Sequence, residues 1–159
     1  MTSSLFLNVN GTRIAVTPER PGVSLLDVLR TELELYSARL GCGLGKCGSC
    51  TVLIDGVSVR SCLIPIDTLS PDQKILTQEG LARSGRPDPV RQAFRDDPVF
   101  ECGNGSCSNG MIMEAVSLLN RNPTPSPAQI RDALETVLCR CGKLDRAIRA
   151  VRRAIPAKP

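Results

Sequence analysis

The chain has 159 residues, 42% hydrophobic, 23% charged and only 3% aromatic, with a formal net charge of +4. That length admits one ordinary domain or two small ones and excludes large catalytic architectures. Histidine and tryptophan are absent, which excludes imidazole acid–base chemistry, histidine–metal ligation and every triad that needs a histidine.

The rings Phe6, Tyr36, Phe94 and Phe100 are too few for base stacking. No apolar run reaches the ~18 residues of a membrane span, and MTSSLFLNVNGTR lacks the basic, apolar and cleavage regions of a signal peptide. The expectation is a cytoplasmic protein without a transmembrane segment. Cations gather between Arg140 and Lys158, but Arg146, Arg149, Arg152 and Arg153 fit the solvated face of a helix, so no nucleic-acid partner is expected.

In chain order, LFLNV and RIAVT alternate around Asn10-Gly11, a dipeptide that tolerates the positive dihedrals of a tight hairpin. Ser24 and Asp27 form a capping-box-like pair ahead of LLDVLRTELEL, where leucines recur at helical spacing. The glycine-rich loop GCGLGKCGSC runs into TVLID, and Asp55-Gly56 turns the chain into VSVRSC, a second hairpin; KILT at 74–77 supplies a last strand. After Gly80 the period changes from two to 3.6. Helices are predicted over 89–95, 109–120, 126–138 and 143–155, with Ser126-Pro127-x-Gln129 opening the third of them by a cap and a proline in its first turn. The polar stretch LARSGRPD, with its Gly and Pro, reads as a linker. The division is therefore 1–80, a linker over 81–88, and 89–159.

The eight cysteines carry the chemistry. In a reducing compartment their even number reads as metal or cluster ligation sooner than as disulfides. Cys42, Cys47, Cys50 and Cys62 have the spacing C-x4-C-x2-C-x11-C among glycines, the plant-type [2Fe-2S] pattern. Four thiolates must converge on a small rhomb, so the loop has to curl, and its backbone N–H groups can then donate to sulfur. A four-cysteine zinc site is the rival reading, but zinc ribbons are built from two C-x2-C knuckles. Cys102, Cys107, Cys139 and Cys141 form a second quartet, spaced C-x4-C-x31-C-x1-C, whose members fall at predicted helix ends. Cys42-Gly-Leu-Gly-Lys-Cys47 and Cys102-Gly-Asn-Gly-Ser-Cys107 share one frame.

With both quartets placed, the chain resembles the small iron–sulfur subunit of the molybdenum hydroxylases, the xanthine oxidase and aldehyde oxidoreductase family. The likeness rests on GCGLGKCGSCTVLIDG with RSC after it, on CGNGSCSNGM, and on the Cys-x31-Cys-Arg-Cys spacing. CRCGKLDRAIRA is similar in style to the isoquinoline and nicotinate dehydrogenase branch. The resemblance implies an α+β chain, a ferredoxin-like β-grasp domain followed by a four-helix bundle, each with one [2Fe-2S] cluster. It implies a wire: the bundle cluster faces a molybdopterin, in its cytosine dinucleotide form, held by a large partner subunit, and the other delivers electrons to a flavin-binding subunit or a cytochrome c. Glu101, Gly103 and Cys139 are the residues it would put at the molybdopterin. Apolar partner surface is expected around Cys102–Met113 and Cys139–Leu144, with the alternative that Met111, Ile112 and Leu144 fill the bundle core, as at least one of them is expected to do.

The family's second motif, Q-C-G-x-C-T-P-G, is not fully matched. Asn104 stands where its first cysteine would be, Cys102 lies two residues earlier, Glu101 precedes that cysteine, and Ser108-Asn109 replaces Thr-Pro. Either Cys102 is the ligand, reaching in through a longer loop, which is the reading taken, or Asn104 holds that place and the cluster is altered. No set of side chains here could hydroxylate a substrate alone. The competing readings are a free-standing two-cluster ferredoxin or redox sensor and a zinc-stapled structural protein.

Overall fold

A computed structural model describes residues 4–82, 85–97 and 105–155. The first strands, β1 (Leu5–Val9) and β2 (Thr12–Val16), pair antiparallel with Leu5 opposite Val16 and Val9 opposite Thr12. Asn10 and Gly11 between them take φ of 53° and 82°, the left-handed pair that a two-residue turn needs to follow strand twist. The second hairpin, β3 (Thr51–Ile54) and β4 (Val57–Arg60), repeats this at Asp55 and Gly56, with φ of 52° and 83°. β5 (Lys74–Leu76) lies between them, parallel to β1 and antiparallel to β3, giving the order β2-β1-β5-β3-β4.

Helix α1 (Leu25–Thr31) packs on one face of this sheet. Its cap is as predicted: Ser24 Oγ accepts from Asp27 N at 3.2 Å. The helix stops well before Leu35, where the leucine periodicity had suggested. Glu32 N and Leu33 N both turn to Val28 O, and Glu34 takes a φ of 54°, which swings Leu33 and Leu35 back onto the sheet core. Three 3-10 turns that the sequence did not announce follow: Ser61–Leu63, Ile66–Thr68 and Gln78–Leu81.

Among its described residues the second half carries helices and no strand: α2 (Pro89–Asp96), α3 (Ser106–Arg121), α4 (Pro127–Glu135) and α5 (Leu144–Ala154). Asp88 caps α2 by accepting from Val90 N and Arg91 N, and Ser126 with Gln129 closes a full capping box on α4. Met111, Met113, Ile130, Leu134, Ala147 and Val151 fill the bundle, each nearly inaccessible. β3 reads as a continuous apolar run because both its faces are covered. Val52 and Ile54 join the core under α1, while Leu53 joins the helical core, where α3 crosses the sheet.

Two boundaries differ from the periodicity. α3 begins three residues before Asn109, because Gly105 at φ 53° turns the chain into it. α4 ends at Glu135 instead of Leu138, which frees Val137 and Leu138 to meet the loop around Cys47. Among the described residues, no helix is long and apolar enough to cross a membrane.

Candidate metal centres

The first quartet is built on the segment between α1 and β3. Its entry is tied down on both sides. Arg30 Nη1 donates to Ala38 O at 3.0 Å, Ser37 N donates to Glu79 Oε1 at 2.8 Å, Ser37 Oγ donates to Glu79 Oε2, and Arg39 N donates to Ser49 O at 3.0 Å. Burial pushes the Glu79 carboxyl up, but the hydrogen bonds from Ser37 and Thr77 outweigh it and hold the group below its ordinary range.

Inside the loop, the backbone N–H groups of Leu44, Lys46 and Cys47 all donate to Cys42 Sγ at 3.3 Å, and Cys42 N donates to Cys47 Sγ at 3.3 Å. The Leu44 and Cys47 amides are the main reason the Cys42 thiol falls to about 6, so it is a thiolate at neutral pH. The curl is tight enough that a side-chain carbon at Gly41 would lie 2.6 Å from Cys47 Sγ. Cys62 comes up from the turn after β4, its Sγ 3.3 Å from that of Cys50, too far for a disulfide bond of about 2.05 Å. Burial, with Cys50 beside it, pushes the Cys62 thiol up to about 11 against an opposing bond from the Gly45 backbone. One end of the quartet is thus prepared for negative charge by amides. The other holds two crowded thiols that a cation would relieve, a donor set suited to iron.

At the second site Cys107 lies inside the first turn of α3, where the sequence had placed it before the helix, and Cys139 and Cys141 lie in the α4–α5 connection. The Sγ atoms of Cys107, Cys139 and Cys141 are all within 4.8 Å of one another. Cys107 is buried and Cys141 is exposed. The N-terminal dipole of α3 favours an anionic group beside Cys107. Glu101, Cys102, Gly103 and Asn104 lie outside the described residues.

Sequence reasoning missed how directly the two sites touch. Leu138 N, released by the early end of α4, donates to Cys47 O at 2.9 Å. Asn109 Nδ2 donates to the carbonyls of Ser49 and Thr51, on either side of Cys50, at 3.0 and 3.1 Å. Arg60 and Glu114 meet at 2.6 Å across the same junction. The usable signal was Glu114, a lone carboxylate in the apolar run MIMEAVSLL.

Of the two readings of the expected partner surface, core filling holds at Met111, Ile112 and Met113, at 1%, 4% and 0% exposure, and Leu144 packs against the same core. The exposed large apolar side chains beside the sites are Leu40, Leu44, Leu63 and Leu138.

The glycine loop carries Cys42, Cys47 and Cys50, with Cys62 of the following 3-10 turn beside Cys50, and the helix ends beyond the sheet bring together Cys107, Cys139 and Cys141, a donor set of the iron–sulfur class. A family model described as a 2Fe-2S iron-sulfur cluster binding domain matches residues 7–82, and one described as a [2Fe-2S] binding domain matches residues 77–152. The chain is 48% identical to one of the subunits of nicotinate dehydrogenase from Pseudomonas putida, over 97% of this chain and 96% of that one. It is 40% identical to the alpha subunit of isoquinoline 1-oxidoreductase from Brevundimonas diminuta, over 92% and 93% respectively. Among solved structures, the aldehyde oxidoreductase of Desulfovibrio desulfuricans superposes with a TM-score of 0.88 at 34% identity; the match covers 96% of this chain and 17% of that longer one. The chain belongs to the small [2Fe-2S] subunits of the molybdenum hydroxylases, the electron-transferring subunits of these oxidoreductases.

Proposed function

We propose that Cys42, Cys47, Cys50 and Cys62 hold one [2Fe-2S] cluster in a ferredoxin-like domain of residues 1–80, and that Cys102, Cys107, Cys139 and Cys141 hold the other in a helical domain of residues 89–159, the two joined by 81–88. The observation that carries this reading is the hydrogen bond from Leu138 N to Cys47 O, which joins a residue of the first quartet to the neighbour of Cys139 in the second. When bound, each cluster takes up and releases one electron at a time.

The chain's own residues do the rest. The amides of Leu44, Lys46 and Cys47 stabilise negative charge on Cys42, and Asn109 and Leu138 hold the two cysteine loops at a fixed separation. The helical site faces a molybdopterin, in its cytosine dinucleotide form, on a large partner subunit, and Glu101, Gly103 and Cys139 are the residues assigned to contact it. The loop site, ringed by exposed Leu40, Leu44 and Leu63, passes electrons to a flavin-binding subunit or a cytochrome c. The names of the relatives support a holoenzyme that oxidises an N-heteroaromatic substrate.

The test is to co-express the chain with its genomic neighbours, purify the complex and assay it. The expected result is about four irons and four sulfides per small subunit, with two distinguishable S = 1/2 signals after dithionite reduction and a molybdopterin on the large chain. Stoichiometric zinc, a single signal at full iron loading, or a chain that stays monomeric in every co-expression would overturn the assignment.

A further inference from the structure

The two cysteine loops share a partly buried ion pair that the relay does not otherwise use. Arg60 ends β4, two residues before Cys62. Its Nη1 donates to Glu114 Oε1 and to Thr51 Oγ1, both at 2.6 Å, and its Nη2 donates to Thr136 O at 3.0 Å. Glu114 accepts at its other oxygen from Ser58 Oγ at 2.7 Å. The side chains are 19% and 8% exposed. Thr51 adjoins Cys50, Thr136 stands three residues before Cys139, and Glu114 is two helical turns along α3 from Cys107. One guanidinium is therefore bonded to a neighbour of each cysteine loop.

Burying an ion pair is a poor way to gain stability, since an apolar pair of similar volume commonly does as well. What an ion pair adds here is a fixed charge balance, in a place where solvent screens little. An uncompensated cation between two centres that each gain an electron would make both easier to reduce, and a carboxylate bonded to that cation cancels the effect.

We propose that Glu114, paired with Arg60, is a positioning residue of the electron relay that sets the reduction potentials of both centres together by neutralising the cation between them. This rests on the two-cluster reading above. With the pair intact, the arriving electrons meet no net charge from this junction. With Glu114 neutral, both centres hold electrons more tightly, so uptake is favoured and release is slowed.

The experiment is an EPR-monitored redox titration of each centre in the assembled complex. Glu114→Gln is nearly isosteric and can still bond to Ser58 and Arg60, and it is expected to move both midpoint potentials upward. Adding Arg60→Gln to it is expected to bring both back toward the parent values, although the double variant unfolds at lower temperature. A merely structural role gives the opposite order, with the double variant the more disturbed in both readouts. Arg60→Lys keeps the charge but loses the fork of hydrogen bonds, and it is expected to leave both potentials in place.

Unmoved potentials in Glu114→Gln, no return in the double variant, or an Arg60→Lys shift as large as that of Glu114→Gln would each overturn the proposal. If Glu114→Gln fails to load its clusters, the double and Arg60→Lys variants decide, since both must then match the parent. Absence of two signals in the parent complex would instead sink the cluster assignment itself.

Discussion

Gly110→Ala sets two magnitudes against each other. In a helix interior alanine is better than glycine by about 1 kcal/mol, and Gly110 lies within α3, so local propensity predicts a gain. The packing predicts a loss. A methyl at Gly110 would sit well inside contact distance of Gly48 O and at 2.9 and 3.0 Å from Val137 Cγ1 and Cγ2, where apolar carbons rest at about 3.5–4.0 Å.

Neither neighbour can yield freely. Gly48 O accepts from Thr51 N at 3.2 Å and from Thr51 Oγ1 at 2.6 Å, and Val137 is held between its own bond to Leu134 O and that of Leu138 N to Cys47 O. Overpacking at such a site costs about 1–3 kcal/mol, and the rigid carbonyl puts this case at the upper end. After the propensity gain, a net loss of about 2 kcal/mol remains, or a fall in Tm of about 4–8 °C for a chain of this size. Thermal unfolding by far-UV circular dichroism measures it, and visible circular dichroism should report a disturbed first centre, because the displaced carbonyl lies one residue from Cys47. A Gly110→Ala protein more stable than the parent by ~1 kcal/mol, with unchanged visible spectra, would refute the close approach of α3 to the loop.

Asn109→Asp keeps the shape but removes both donors to the carbonyls flanking Cys50, and it puts a carboxylate where the side chain is 3% exposed; a loss of about 2–3 kcal/mol is expected in urea unfolding. Glu79 is held below its ordinary carboxylate range in the folded chain, so its contribution is present above the unfolded value and disappears as pH falls through the folded one. The Tm gap between parent and Glu79→Gln should accordingly be full at neutral pH and close in acid. Cys102→Ser should remove one of the two EPR signals and leave the other, while Asn104→Ala should leave both; the reverse pattern would make Asn104 the ligand.

The hairpins were legible because Asn10-Gly11 and Asp55-Gly56 admit few backbone conformations, and the caps of α1 and α4 were legible because Ser24, Ser126 and Gln129 satisfy orphan amides from close by in sequence. The cysteine spacing grouped Cys107 with Cys139 and Cys141, and Cys50 with Cys62, and the structure brings each of these groups together because short loops or helix ends fix their members. Long-range partners of polar groups were not legible. Nothing local to Arg60 names Glu114, and nothing near Asn109 names Ser49 and Thr51, because these bonds exist only once α3 lies across β3.

The helix ends that periodicity misplaced have one cause. In α1 and α4 the apolar repeat continues past the last helical residue because the leucines and valines beyond it are still buried or bonded, but by a neighbouring loop instead of by their own helix. Leu33 and Leu35 turn back onto the sheet at Glu34. Val137 leaves α4 to fill the space over Gly48, and Leu138 leaves it to reach Cys47 O. Had α4 run on to Leu138, as its composition allows, the amide of Leu138 would have been spent on Leu134 and the backbone bond from Leu138 to Cys47 O would be lost. The shortfall of α4 is therefore the local concession that brings Cys139 and Cys47 within one hydrogen bond of each other, and the propensity of residues 136–138 for helix is overridden where the relay needs contact.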